Sequence, residues 1–162
     1  MTSRRGGVRV AVALGSNLGD RAGHLAWAVA ALRTRIDGLR VSAIVETAPV
    51  DVPDVQPDYL NAVAVGHTEL APEPLLVWLL ELERSRGRVR TGPRSARTLD
   101  LDLVLYGNHV VSQPGLTVPH PRYRDRDFVL GPLAEVAPRW RDPSTGETMA
   151  RMWRTRRLPR GG

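Results

Sequence analysis

The chain has 162 residues, 23 of them basic and 17 acidic, giving a net charge of +6, and it contains no cysteine. A single domain over 1–162 with a real core is expected, and disulfides, thiolate metal sites and cysteine nucleophiles are excluded. No apolar run is long enough to span a bilayer and no extended apolar stretch follows the basic start, so no signal peptide, no membrane partner and a cytoplasmic enzyme are expected. The positive charge suits either nucleic acid or anionic small substrates; with one Phe and three Tyr, a row of exposed stacking aromatics is hard to assemble.

Val8, Val10, Val12 and Leu14 alternate as a first strand, stopped by a turn at Gly15-Ser16-Asn17-Leu18-Gly19. Asp20 can cap a helix whose apolar stripe is Leu25, Val29 and Leu32, beside Trp27 and Ala28, with an end near Gly38. Leu39 to Glu46 reads as a second strand. Pro49, Pro53 and Pro57 make Thr47 to Asp58 a loop of the length that functional loops have. Asn61 to Thr68 alternates as a third strand. Pro72 opens a second helix with a buried face at Leu75, Leu76, Leu79, Leu80 and Leu82. A short strand at His109 to Val111, a proline-bounded segment through Pro121 and a helix near Asp125 to Val136 follow, and the basic tail from Arg151 is expected to be poorly ordered. The order βαββαβ with additions predicts an α+β, ferredoxin-like fold: an antiparallel sheet with helices packed on it.

Between the second helix and that short strand lies the stretch that carries chemistry. In Leu99-Asp100-Leu101-Asp102-Leu103 the period of a strand puts Leu99, Leu101, Leu103 and Leu105 on one face and both aspartates on the other. Two carboxylates with Cα atoms roughly 7 Å apart can share one or two hard cations. The blander reading is the solvated face of an amphipathic strand. Upstream, Arg84, Arg86, Arg88, Arg90, Arg94 and Arg97 crowd a segment with Gly87 and Gly92. Guanidinium groups match phosphate oxygens, and carboxylate-held Mg²⁺ is the usual other half of a polyphosphate site, so a nucleoside triphosphate is suggested. Because the chain has no lysine, the number of arginines is partly compositional, but their placement beside the aspartates is not.

Gly15-Ser16-Asn17-Leu18-Gly19-Asp20-Arg21, Gln56-Pro57-Asp58-Tyr59-Leu60-Asn61, Glu83 with Gly87-Arg88-Val89-Arg90, Arg97-Thr98-Leu99-Asp100-Leu101-Asp102 and Leu116-Thr117-Val118-Pro119-His120-Pro121 occur in this order. With them the chain resembles the 6-hydroxymethyl-7,8-dihydropterin pyrophosphokinases of folate biosynthesis, over about residues 8–138. The resemblance implies transfer of diphosphate from ATP to the pterin hydroxymethyl group. It implies two Mg²⁺ ions on Asp100 and Asp102, and triphosphate contacts from Arg88, Arg97, His120 and Arg126. Glu83, Leu103 and Thr117 then lie near the nucleotide, and Thr47, Val50, Tyr59, Asn61 and Phe128 at the pterin. Tyr59 and Phe128 as aromatic faces with Asn61 at the edge suit a flat heterocycle. Arg88 and Arg97 join the two aspartates as catalytic candidates, the Arg-rich segment is expected to act as a lid, and a metal-bound aspartate such as Asp102 is a candidate for taking the hydroxyl proton.

Two positions depart from the family pattern. Trp-Gly-Pro-Arg usually precedes the Thr-Leu-Asp-Leu-Asp run, where this chain has Arg94-Ser95-Ala96-Arg97, and Pro121 stands where some members have Tyr. The alternatives are a two-metal nucleotide hydrolase, a ferredoxin-like RNA-binding module, and a family member that has lost catalysis. For the RNA-binding module, Val10, Val12, Leu101 and Leu103 offer no aromatic on the sheet. A monomer binding only small molecules, without nucleic acid, is the expected state.

Overall fold

The computed structural model describes residues 7–49, 55–87 and 98–158. Strands β1 (Val8–Ser16), β2 (Asp37–Val41), β3 (Val45–Thr47), β4 (Tyr59–Thr68) and β5 (Asp100–Tyr106) form one antiparallel sheet in the order β2-β4-β1-β5, with β3 also paired to β4. Helices α1 (Arg21–Leu32) and α2 (Pro72–Ser85) join these strands in the expected βαββαβ path. The Asp20 carboxylate accepts from Gly23 N at 3.0 Å and so caps α1.

The two helices cover one face of the sheet. Val10, Val12 and Leu14 of β1 and Leu101 and Leu103 of β5 pack there against Leu25, Ala28 and Leu32 of α1 and Leu75 and Leu79 of α2. Each such side chain contributes roughly 1.5 to 3 kcal/mol by leaving water. The other face is covered over part of its length by α3 (Asp127–Val136) and α4 (Met149–Arg157), whose Leu130, Leu133, Met149 and Met152 pack on Ala11, Val63 and Val65. A 3-10 turn at Tyr123–Asp125 leads into α3, and a hairpin of β6 (Val111–Gln113) and β7 (Leu116–Val118) precedes it. Among the described residues no helix is long and apolar enough to cross a membrane.

Several local expectations are corrected. Gly15 and Ser16 continue β1 instead of turning, because β4 and β5 pair with the strand up to its end. Helix α1 stops at Leu32, and Gly38, at φ +62°, sits instead in β2 beside an irregularity in its pairing with β4. The expected second strand is broken at 42–44 into β2 and β3. The expected short strand is shifted to Val111–Gln113 and gains the partner β7. Leu105 leaves the leucine face: the pairing of β1 with β5 slips between Ala11 and Val12, so Val104 and Leu105 both join the α3 and α4 side and Tyr106 returns to the other. Val10, Val12, Leu101 and Leu103, the residues that an RNA-binding module would present on its sheet, lie beneath α1 and α2. The basic tail is not poorly ordered up to Arg157: Thr148 accepts from Arg151 N at 3.1 Å to cap α4, and Met149 and Met152 bury that helix against α3. Residues 159–162 of that tail lie outside the described residues.

Candidate active site

Where α3 and α4 stop covering the sheet, β1, β4 and β5 present Gly15, Asn61 and Asp100 side by side, Gly15 being paired with both of its neighbours. One row further in, Ala13 lies between Val63 and Asp102. The small residues of the central strand leave open space over the two half-buried aspartates. Strand β5 is an edge of the sheet, where charged side chains are tolerated. Its outer side is closed by other segments: Leu101 N donates to the buried Glu83 carboxylate at 2.7 Å, and His120 N donates to Val104 O at 2.9 Å. Glu83 falls where the buried stripe of α2 reaches its last turn, after Leu75 and Leu79.

Two cavities open at this end. The first, of about 420 Å³, is lined by Gly15, Thr47, Tyr59, Asn61 and Phe128 together with Asp100, Asp102, Arg122 and Arg126. The second, of about 510 Å³, is lined by Glu83, Leu103, Thr117, His120 and Pro121 together with Asp100, Asp102 and Arg126. They share the two aspartates and Arg126, and this shared wall is where two ligands would meet.

In the first cavity, Asn61 Nδ2 donates to Thr47 Oγ1 at 2.9 Å and to Val45 O at 3.3 Å. Its amide nitrogen is therefore engaged by β3, and its carbonyl oxygen is the acceptor on the Gly15 side. The Arg126 guanidinium stands 5.9 Å from the Phe128 ring centre. The proline-rich loop is tied to the start of α1: Asn17 Nδ2 donates to Gln56 Oε1 at 2.9 Å and Pro57 O at 3.3 Å, and Arg21 donates to Asp58 O at 2.8 Å. Asn17 is completely buried, so two of the motifs read from the sequence are one structural unit.

In the second cavity, Arg122 N donates to His120 Nδ1 at 3.1 Å. A backbone N–H only donates, so Nδ1 is the acceptor and Nε2 carries the proton. Burial, and then the charges of Arg126 and Arg122, push the His120 pKa below its ordinary value against the opposing pull of Asp100. His120 is thus a neutral donor at pH 7.

The described candidates fall into these two groups: Thr47, Tyr59, Asn61 and Phe128 around one cavity, Glu83, Leu103, Thr117 and His120 around the other, and Asp100, Asp102 and Arg126 between them. Val50, Arg88, Arg97 and residues 88–97 of the expected lid lie outside the described residues, whereas Arg84, read as part of that basic segment, lies in the last turn of α2 and Arg86 donates through Nε to His24 Nδ1 at 3.1 Å. Arg122 was not anticipated. Arg122, Arg124 and Arg126 recur at every second position, but only Arg122 and Arg126 line the site while Arg124 pairs with Asp142; spacing alone cannot sort them.

The model of the 7,8-dihydro-6-hydroxymethylpterin-pyrophosphokinase family matches residues 11–138. The chain belongs to this family. It is similar to the 2-amino-4-hydroxy-6-hydroxymethyldihydropteridine pyrophosphokinase of Synechocystis, 41% identical over 143 residues that span 87% of this chain and 72% of the relative. The Bacillus subtilis protein of the same description is 42% identical over 127 residues, 77% of this chain and 75% of that one. In fold it is similar to the wild-type HPPK-DHPS of Plasmodium falciparum, with a TM-score of 0.73 at 12% identity over 96% of this chain. The chain spans 46% of that longer protein. Both cavities of this pyrophosphokinase-family chain draw on the matched segment, whereas Asp142 and α4 lie beyond it.

Proposed function

We propose that this chain transfers the β,γ-diphosphoryl unit of ATP to the hydroxymethyl oxygen of 6-hydroxymethyl-7,8-dihydropterin in folate synthesis. The hydroxyl oxygen bonds to the β-phosphorus, the bond from that phosphorus to the α,β-bridging oxygen breaks, AMP departs with the bridging oxygen, and the hydroxyl proton is lost. The carrying observation is a pair of cavities that meet at Asp100, Asp102 and Arg126. The flat pterin suits the cavity of Tyr59, Phe128, Thr47 and Asn61, where Asn61 Oδ1 accepts from the heterocycle edge. The nucleotide suits the cavity of Glu83, Leu103, Thr117 and His120, where His120 Nε2–H donates to a phosphate or ribose oxygen.

The donor set fits Mg²⁺. Asp100 and Asp102 supply hard oxygen ligands on one face, and among the described residues no cluster of three or more His, Cys, Asp or Glu forms a complete protein cage. Mg²⁺ is typically held by one or two carboxylates, with substrate phosphates and water completing its octahedron. Bound there, two ions would neutralise charge on the transferred group and on the departing AMP oxygen. Arg126 adds a fixed positive charge at the same junction, and Arg88 and Arg97, placed by motif, add guanidinium groups toward the triphosphate. Holding both substrates against a shared wall converts the encounter into a step within one complex. A monomer working in the cytoplasm on these two small molecules completes the reading.

Incubation with ATP, Mg²⁺ and the hydroxymethyl pterin, followed by mass analysis, tests donor, acceptor and bond cleaved together. AMP and pterin diphosphate in equal amounts are expected; ADP or inorganic phosphate without a pterin product would favour the hydrolase and overturn the reading.

A further inference from the structure

Among the described residues Arg126 is the one basic residue common to both cavities, and its backbone joins two short-range structures: its N donates to Tyr123 O at 3.4 Å and its O accepts from Val129 N at 3.0 Å and from Leu130 N at 2.8 Å. It lies between the 3-10 turn and α3, with φ −108° and ψ 106°, and no side chain caps the helix it precedes. The turn and helix that it joins are tied in addition to the C-terminal segment beyond residue 138, outside the stretch that the family model matches.

On one side stands Asp142, whose side chain is wholly buried. Its carboxylate accepts from Tyr123 Oη at 2.8 Å, from Arg124 Nη2 at 2.9 Å and from Ser144 N at 2.7 Å, and it also pairs with Arg124 Nε. Burial alone would raise its pKa, but these donors, Arg124 first, outweigh burial and hold the carboxyl below its ordinary value. On the other side, Arg156 of α4 donates through Nη2 to Asp125 O at 2.7 Å and pairs through Nε with the Asp127 carboxylate. Residues 123, 124, 125 and 127 are therefore each tied to the C-terminal segment, and these ties bracket Arg126 on both sides.

The second tie also governs charge. Asp127, adjacent to Arg126 in the chain, is the nearest carboxylate in sequence able to neutralise it on the α3 side, and Arg156 occupies that carboxylate. Among the described residues Arg126 forms no ion pair. The Arg156 and Asp127 side chains are 30% and 66% exposed, and exposed pairs of this kind contribute little to stability. A purely structural purpose is thus a weak account of the Arg156 contacts.

We propose that Asp142 and Arg156 are positioning residues for the transfer reaction, holding the Arg126 backbone and keeping its guanidinium unneutralised for the incoming triphosphate. This rests on the reading of Arg126 as a triphosphate residue. The test is steady-state kinetics and thermal unfolding of Arg156→Ala, Arg126→Ala and their double variant. Arg126→Ala is expected to lower kcat by about 10²-fold. Arg156→Ala is expected to lower kcat by roughly 5- to 20-fold with melting temperature nearly unchanged, and the double variant to be no slower than Arg126→Ala alone within about twofold, because residues acting through one another are not additive. Tyr123→Phe, which removes one tie of Asp142 without emptying the core, should show a smaller loss that likewise vanishes in the Arg126→Ala background. Adding Asp127→Asn to Arg156→Ala should restore part of the lost kcat; no recovery would overturn the charge half of the proposal. An unchanged kcat in Arg156→Ala, or losses that multiply with Arg126→Ala, would overturn the positioning role. An unchanged kcat in Arg126→Ala would remove the premise, a pattern distinct from either.

Discussion

One face of the sheet is built in three rows that share the same strands and end in opposite fates. At the closed end Val65, Ala11 and Leu105 lie side by side; next come Val63, Ala13 and Asp102; at the open end come Asn61, Gly15 and Asp100. The first row is buried beneath α3 and α4, and the last lines the first cavity. From row to row the central residue stays small while its neighbours turn from apolar to polar. A core and a site are thus made from one backbone surface, the difference being which residues the flanking strands carry and where the covering helices stop. The closed end packs the same three strands that carry the open end.

The comparison is tested hardest at the aspartates. Asp100→Asn and Asp102→Asn should each lower kcat by roughly 10³-fold or more, about 4 kcal/mol of transition-state stabilisation, while unfolding temperature holds or rises as like-charge repulsion is relieved. Near-normal turnover in both would dissolve the distinction between the two ends. At the closed end the opposite pattern is expected. Leu133→Ala, at a fully buried position, should cost about 2 to 5 kcal/mol in denaturant unfolding and leave kcat per folded molecule unchanged. A large kcat loss with little destabilisation would show that the closed end takes part in chemistry.

Gly15 sharpens the boundary. A Cβ there would lie 3.4 Å from Asn61 Oδ1 and 3.6 Å from Tyr59 Cδ1, so the fold has room for it and the cavity loses that room. Gly15→Ala should therefore raise the pterin KM by about 5- to 100-fold, corresponding to an overpacking cost of roughly 1 to 3 kcal/mol, with the ATP KM and the melting temperature little changed. Equal loss for both substrates would mean that the cavities are not separately assigned. The smallest effect concerns protonation. His120 should titrate below its ordinary range by NMR, protonating only as the pH falls under about 6.5, because burial and then Arg126 and Arg122 disfavour its cation. In Arg126→Ala, which removes the second of these causes, the midpoint should move up; a midpoint at or above the ordinary value in the parent protein would contradict the neutral donor.

Much of this was legible in the residues because it repeats at short range. The alternation of Val8 to Leu14 and of Leu99 to Leu103 announced the strands, and the aspartates were placed together on one face by the period of two alone. The motif segments bring the described candidates around two cavities, and the assignment of one to pterin and the other to nucleotide is what we propose from the resemblance. Asn61 and Phe128 illustrate the limit, since by local pattern each reads as structural, a strand-start residue and a helix core residue. Only the resemblance marked them, and only the fold set them around one space.

What the sequence determined by itself is the βαββαβ order of the main strands and helices and the shared face of Asp100 and Asp102 in β5, because hydrophobic period, proline and glycine act on neighbours a few residues apart. The tertiary structure decided the rest. The slip between Ala11 and Val12 that moves Leu105 across the sheet depends on how β5 meets β1. The separation of Arg124 from Arg122 and Arg126 depends on Asp142, 18 residues away from Arg124. The conversion of an arginine-rich tail into α4 depends on the apolar face of α3 receiving Met149 and Met152. These outcomes share one physical cause: a side chain's partner across a sheet or between helices is set by long-range register and packing, which no local period encodes.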